Sequence, residues 1–175
     1  MKILLIGGSK SGKSHLGQEL ARTAGQPMIY WATMQPMDSE DEDRIAAHLL
    51  DRAGWGFTTL ECGCALETAF DRVSADSAVL LDSVTVLLAN EMFAEGIIDD
   101  RAGARTAQSL LALGAHVHTL VCVCDDLWRE EEVYGEGTEL FRRQLAEVCR
   151  MLAAEFDVVC EVVAGNLHVW KGELP

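Results

Sequence analysis

The sequence predicts an α/β protein built on a mostly parallel sheet flanked by helices. Three observations predict it. Short apolar runs recur at 3–6, 28–32, 78–82, 116–124 and 158–164, with helical stretches between most of them. Strands that alternate with helices make parallel crossovers. The first run leads directly into Gly7-Gly8-Ser9-Lys10-Ser11-Gly12-Lys13-Ser14, and a helical stretch over 14–24 follows. Strand, G-x-x-x-x-G-K-[ST], then helix is the phosphate-binding P-loop in its required context. Finally, runs at 158–164 and 167–170 flank Gly165-Asn166 and read as a hairpin. The expected architecture is P-loop NTPase-like (RecA-like) with a C-terminal β-hairpin, in one nucleotide-binding domain over 1–175.

Each element has a local reason. Residues 28–32 (Met-Ile-Tyr-Trp-Ala) are a second short strand, broken by Thr33-Met34-Gln35-Pro36. Residues 38–52 read as a helix, with Asp38 or Ser39 as N-cap and acids in the first turn. Ile45, Leu49 and Arg52 fall on one face of it, and Arg44, His48 and Asp51 on the next. Gly54-Trp55-Gly56 ends it. Residues 57–61 alternate like a short strand, and 66–73 read as helical. Residues 78–82 (Ala-Val-Leu-Leu-Asp) are a buried strand ending in an acid. The apolar stretch 84–93 is a packed helix. Residues 99–113 form another, closed by Gly114 as C-cap. The next strand is 116–124, with His116 and His118 exposed at its start. Residues 125–137 are acidic and irregular, a loop or lid. Residues 138–156 are a long helix with Thr138 as N-cap.

Composition narrows the function. The chain has 175 residues, 49% of them hydrophobic, and a formal net charge of −14. That balance excludes a general nucleic-acid binder, which needs a basic face. An acidic protein that binds an anionic nucleotide must do so locally, with a loop, a lysine and a metal ion. No apolar run reaches membrane-span length, and the N-terminus does not read as a signal peptide. The expected location is the cytoplasm. The six cysteines (62, 64, 122, 124, 149 and 160) are expected as reduced thiols. Cys62-Gly63-Cys64 and Cys122-Val123-Cys124 offer four thiolates for zinc, but C-x-C is an atypical spacing for it, and strand alternation turns Cys122 and Cys124 one way into a core.

The chemistry starts at the loop. Gly7 and Gly12 permit the torsions that turn backbone N–H groups inward. Lys13 reaches the outer phosphates, and the Ser14 hydroxyl ligates Mg²⁺. Asp82, at a strand end, is either the acid that holds Mg²⁺ or its water, or the N-cap of the next helix; the two roles are compatible. His48 lies near the loop after the second strand, at the same sheet edge as the P-loop. It is either a solvated surface histidine or a nucleophile that forms a phosphoramidate. Trp128 either stacks on a ring of a ligand or anchors an interface or the core.

Five stretches also resemble a known family: Gly7–Ser14 (GGSKSGKS), Tyr30–Thr33 (YWAT), Asp38–His48 (DSEDEDRIAAH), Leu80–Asn90 (LLDSVTVLLAN), and Ala164-Gly165 with Lys171. They are similar to the adenosylcobinamide kinase / adenosylcobinamide-phosphate guanylyltransferase family of cobalamin assembly. The resemblance implies a two-step enzyme. It phosphorylates the aminopropanol hydroxyl of adenosylcobinamide with ATP or GTP, then transfers GMP from GTP to that phosphate. It implies that His48 carries GMP covalently. It implies GTP contacts from Gly7, Gly8, Ser9, Lys10, Ser11, Gly12, Lys13 and Ser14, from Thr33, Met34 and Gln35, from Leu49, Leu50, Asp51 and Arg52, and from Glu61 and Asp82. The implied partners are a nucleoside triphosphate, Mg²⁺, a corrinoid and further copies of the chain in a homo-oligomer. After Cys124 the family carries Asn-Glu-Val-Gly, whereas this chain has Asp125-Asp126-Leu127-Trp128. Two other readings use the P-loop alone: a small-molecule kinase with another alcohol substrate, and a nucleotide switch without net chemistry.

Overall fold

A computed structural model describes residues 1–25, 27–36, 46, 49–50, 52–96, 98–129 and 132–175. The described strands are β1 (Lys2–Gly7), β2 (Met28–Ala32), β3 (Thr58–Glu61), β4 (Ala78–Asp82), β5 (Thr119–Asp125), β6 (Val158–Val163) and β7 (Asn166–Lys171). The described helices of two or more α-turns are α1 (Lys13–Thr23), α2 (Val84–Met92), α3 (Ala102–His116) and α4 (Glu136–Glu155), with 3₁₀ segments at Leu66–Arg72, Ala94–Gly96 and Leu127–Arg129. All seven strands form one sheet in the order β3-β2-β4-β5-β1-β6-β7. Every pairing is parallel except β6 with β7. The predicted mostly parallel sheet with a terminal hairpin is therefore the fold.

Period-2 alternation splits each strand between two cores. Leu4, Trp31, Val79, Leu81, Leu120 and Cys122 face the larger one, which α2, α3 and α4 cover. Ile3, Leu5, Tyr30, Leu80, Val121 and Val123 face the smaller one, against Leu20 and Ala21 of α1. A sheet buried on both faces needs near-continuous apolar strands, and β4 and β5 have them. Trp31, fully buried, carries its indole N–H to the Cys62 carbonyl at 3.0 Å, so its one polar atom is satisfied.

Several boundaries differ from the sequence expectation, each for a local reason. Helix α3 runs through Gly114 to His116 rather than stopping there. Gly114 is at a close approach: a Cβ would lie 3.1 Å from Lys2 Cδ. His116 is thus a helix residue, not a strand-edge one. Its Nε2 lies 2.9 Å from the Val73 carbonyl, and its ring stacks on Phe70. Helix α4 starts at Glu136 with Gly135 as N-cap, not at Thr138, because Glu139 reaches back to accept from the Tyr134 N–H at 3.1 Å. The 66–72 stretch is 3₁₀, not α. Of the predicted 38–52 helix, only Ala46, Leu49, Leu50 and Arg52 lie within the described residues; the first three are helical. All six cysteines are free thiols.

Candidate active site

The carboxyl ends of β1, β2, β4 and β5 open on one edge, where parallel α/β sheets bind ligands. Strand β1 runs into the P-loop at Gly7. A Cβ on Gly7 would sit 2.3 Å from the Val162 carbonyl oxygen, so the close packing of β6 behind the loop demands glycine there. Gly12, with φ 99°, is the N-cap of α1 and takes the left-handed turn that starts the helix. The hairpin tip braces the loop, with the Gly165 N–H donating to the Ser11 carbonyl at 2.9 Å.

Lys13 is buried, at 5% exposure. Its Nζ donates to the Gly8 carbonyl at 2.6 Å and pairs with the Asp125 carboxylate at 3.0 Å. Asp125 is the last residue of β5, in register with Gly7 on β1. Its backbone N–H donates to Thr85 Oγ1 at 2.9 Å.

Asp82 ends β4, two strands from the loop. Its Oδ2 accepts the Tyr30 hydroxyl at 2.9 Å. Burial, then the Asp82 carboxylate, pushes the Tyr30 phenol above the ordinary tyrosine range, so Tyr30 is a hydrogen-bond donor and not an anion. The other face of the phenol carries Arg52, whose Cζ lies 3.8 Å from the ring centroid. The helix N-cap next to this acid is Ser83, whose Oγ accepts from the Val86 N–H at 3.3 Å. Of the two roles open to Asp82, capping therefore falls to its neighbour.

Thr33 ties the two strand ends together. Its hydroxyl donates to the Ser83 carbonyl at 3.0 Å and accepts from the Ser83 N–H at 2.8 Å. Asn90 Nδ2 holds the next turn, donating to the carbonyls of Thr33 and Gly63, each at 2.9 Å.

The site is a cleft of three adjoining pockets that share walls at Ala32, Met34, Arg52, Asp82 and Ser83. Its largest lobe, about 580 Å³, is walled by Ser9 to Ser14, His15, Met34, Asp82, Ser83 and Asp125. A second lobe of about 280 Å³ lies towards β3, between Ala32, Met34, Pro36, Leu49, Arg52 and Glu61. A third, smaller pocket, lined by Tyr30, Ala32, Met34, Arg52 and Asp82, shares walls with both. The structure brings Lys13, Ser14, Met34, Leu49, Arg52, Glu61 and Asp82 to the walls of this cleft. It does not bring Thr33, whose side chain is buried, and Leu50 is 76% exposed. Gln35 is exposed beside Gly63. His48 and Asp51 lie outside the described residues. Among the described residues no group of three or more His, Cys, Asp or Glu side chains gathers as a metal centre, so the four thiols at 62, 64, 122 and 124 form no zinc site. Sequence reasoning missed Asp125, Tyr30, Thr85 and Asn90. Asp125 had a signal, an apolar run ending in an acid, the same one that marked Asp82.

The family model described as cobinamide kinase / cobinamide phosphate guanyltransferase (CobU) matches residues 3–169. The chain belongs to this family. It is 30% identical to the bifunctional adenosylcobalamin biosynthesis protein CobP of Pseudomonas aeruginosa, over 99% of each chain. It is 34% identical to the protein of that description, CobU, from Salmonella typhimurium, over 71% of this chain and 68% of that one. Among solved structures, a Pyrococcus horikoshii protein superposes with a TM-score of 0.58 at 9% identity, covering 98% of this chain and 86% of that one. An ATPase of the type III secretion system of pathogenic bacteria superposes with a TM-score of 0.54 at 14% identity, covering 91% of this chain and half of its own. At those identities the likeness is one of fold. Among the described residues no helix is long and apolar enough to cross a membrane.

Proposed function

We propose that this protein phosphorylates the side-chain hydroxyl of a cobinamide with a nucleoside triphosphate, and then transfers GMP from GTP to the new phosphate. The observation that carries the reading is the single cleft joining the P-loop, Asp82 and the wall formed by Met34, Leu49, Arg52 and Glu61, in a chain of the cobinamide kinase / guanyltransferase family. In this reading residues 1–175 act as one nucleotide-binding domain.

The assignments follow from the geometry and the family. Backbone N–H groups of Gly7–Ser14 and the N-terminus of α1 cradle the phosphates. Lys13 moves its ammonium from Asp125 to the outer phosphates. Met34 and Leu49 supply apolar surface for the base and ribose, with Arg52 and Glu61 as polar partners. The residues suit Mg²⁺: it is held through one or two hard oxygen ligands plus substrate phosphates, not by an all-protein cage. Ser14 and Asp82, which both line the phosphate lobe, would supply such oxygens. When bound, the ion would offset phosphate charge. Tyr30 keeps the Asp82 carboxylate aimed by occupying Oδ2.

The nucleotidyl transfer runs through His48. An imidazole nitrogen attacks the α-phosphorus of GTP, the bond to the β-phosphate oxygen breaks, and pyrophosphate leaves. The corrinoid phosphate then attacks the same phosphorus, forming the pyrophosphate link and restoring the free imidazole.

Incubation with α-labelled GTP tests this. Covalent label that is stable to base, released by acid and absent in His48→Ala is expected. Phosphorylation of cobinamide without covalent label would leave a kinase alone. That second reading draws on one departure: Asp125-Asp126 stands where the family carries Asn-Glu. Nucleotide binding with neither reaction would overturn both.

A further inference from the structure

We propose that Asp125 is an internal counter-anion that a triphosphate must displace from Lys13, and that it makes nucleotide binding by this loop depend on a divalent cation. The inference rests on the reading of Gly7–Ser14 as the triphosphate site.

The P-loop lysine is already engaged. Its Nζ sits between the Asp125 carboxylate at 3.0 Å and the Gly8 carbonyl at 2.6 Å. Lys13 is 5% exposed and Asp125 29%, so the pair is poorly screened by water. Asp125 stands on an anchored stretch of backbone. Its N–H is fixed on Thr85 Oγ1, and the next residue donates its N–H to the Gly7 carbonyl at 3.2 Å. The backbone at 125 therefore keeps this residue on the cleft wall.

The charge balance sets the consequence. The phosphate lobe is lined by Lys10, Lys13, Asp82 and Asp125, with His15 at its rim. Among the described side chains of the lobe two cations and two carboxylates cancel, so these side chains offer a triphosphate no net positive charge beyond that of the loop N–H groups. Lys13 can turn to phosphate only by giving up its pair with the Asp125 carboxylate. Like charges left in one partly desolvated lobe are costly. A divalent cation on the phosphates offsets both carboxylates. An asparagine at 125 would keep an acceptor for Lys13 and remove the charge.

The test is titration calorimetry with β,γ-imido-GTP, in Mg²⁺ and in EDTA, on wild type, Asp125→Asn, Asp125→Ser and Asp126→Asn. Asp126→Asn makes the same charge change one residue away, beside Arg129. The expected result is wild-type binding that is strongly weakened in EDTA. Both Asp125 variants should recover at least about tenfold of affinity in EDTA, while Asp126→Asn matches wild type. Unchanged affinity in the Asp125 variants would overturn the inference and leave the phosphate site standing. An equal gain in Asp126→Asn would overturn it as well, because net charge alone would then account for the effect. No binding by wild type in Mg²⁺ would overturn the phosphate-site reading and this inference with it.

Discussion

Strands β4 and β5 lie side by side, and each is an apolar run that ends in an aspartate at the same edge of the sheet. The two acids have different partners. Asp82 accepts a neutral phenol from Tyr30, whereas Asp125 pairs with the buried ammonium of Lys13. Sheet order is the cause. On its other side β4 meets β2, which carries Tyr30, while β5 meets β1, whose loop delivers Lys13. Asp82 keeps its charge available to the cleft because a phenol does not neutralise it. Asp125 spends its charge on the protein. The same sequence signal thus marks position, and the neighbouring strand assigns the role.

Four substitutions probe that contrast. Lys13→Ala should have the largest effect, because it removes the phosphate contact proposed above and leaves Asp125 without its cation. Affinity for β,γ-imido-GTP in Mg²⁺ should fall by at least about 100-fold by calorimetry. A smaller loss would mean that the loop backbone holds the phosphates almost alone.

Asp82→Asn should lower turnover in Mg²⁺ on the order of tens of fold. Its affinity in EDTA should not rise as far as that of Asp125→Asn. If the two variants behave alike at every Mg²⁺ concentration, the distinction between the two acids is lost.

Thr33→Val acts on the scaffold. It removes a buried hydroxyl that makes two hydrogen bonds to Ser83 and leaves the buried Ser83 N–H unsatisfied, while the Ser83 carbonyl keeps the Leu87 N–H at 3.0 Å. Urea denaturation should show a loss of roughly 1–3 kcal/mol.

Tyr30→Phe should be mildest. It keeps the ring beneath Arg52 and deletes only the hydroxyl on Asp82, costing about 1 kcal/mol of stability. Its characteristic readout is a higher Mg²⁺ midpoint for turnover at unchanged nucleotide affinity in EDTA. An unmoved Mg²⁺ midpoint would show that Asp82 needs no help from Tyr30.

Much of this site was legible in the chain. The loop announced itself because phosphate binding by backbone needs glycines at fixed offsets between a strand and a helix. Asp82 was legible because a buried strand has no use for a terminal acid unless the edge does. Met34, Arg52 and Glu61 entered through the family resemblance, and the cleft does gather them. Asp125 was hidden inside an acidic run, 125–137, which reads as a solvated loop; its register with Gly7 is a long-range pairing that no local pattern carries. Thr33 was expected to touch nucleotide, but a hydroxyl that satisfies both the N–H and the carbonyl of Ser83 is committed to the scaffold. The end of α3 was misjudged because a glycine near a helix terminus serves two purposes, left-handed capping and close packing, and sequence alone does not distinguish them.

The amino-acid order was enough for the elements and the chemistry of the loop, since both follow from local periodicity, glycine torsions and the spacing of a lysine and a hydroxyl along eight residues. Which side chains meet across the cleft followed from strand order. Tyr30 and Asp82 are 52 residues apart, and Lys13 and Asp125 are 112 apart. Such contacts depend on which strand lies beside which, and that choice is made when the whole sheet buries both of its faces.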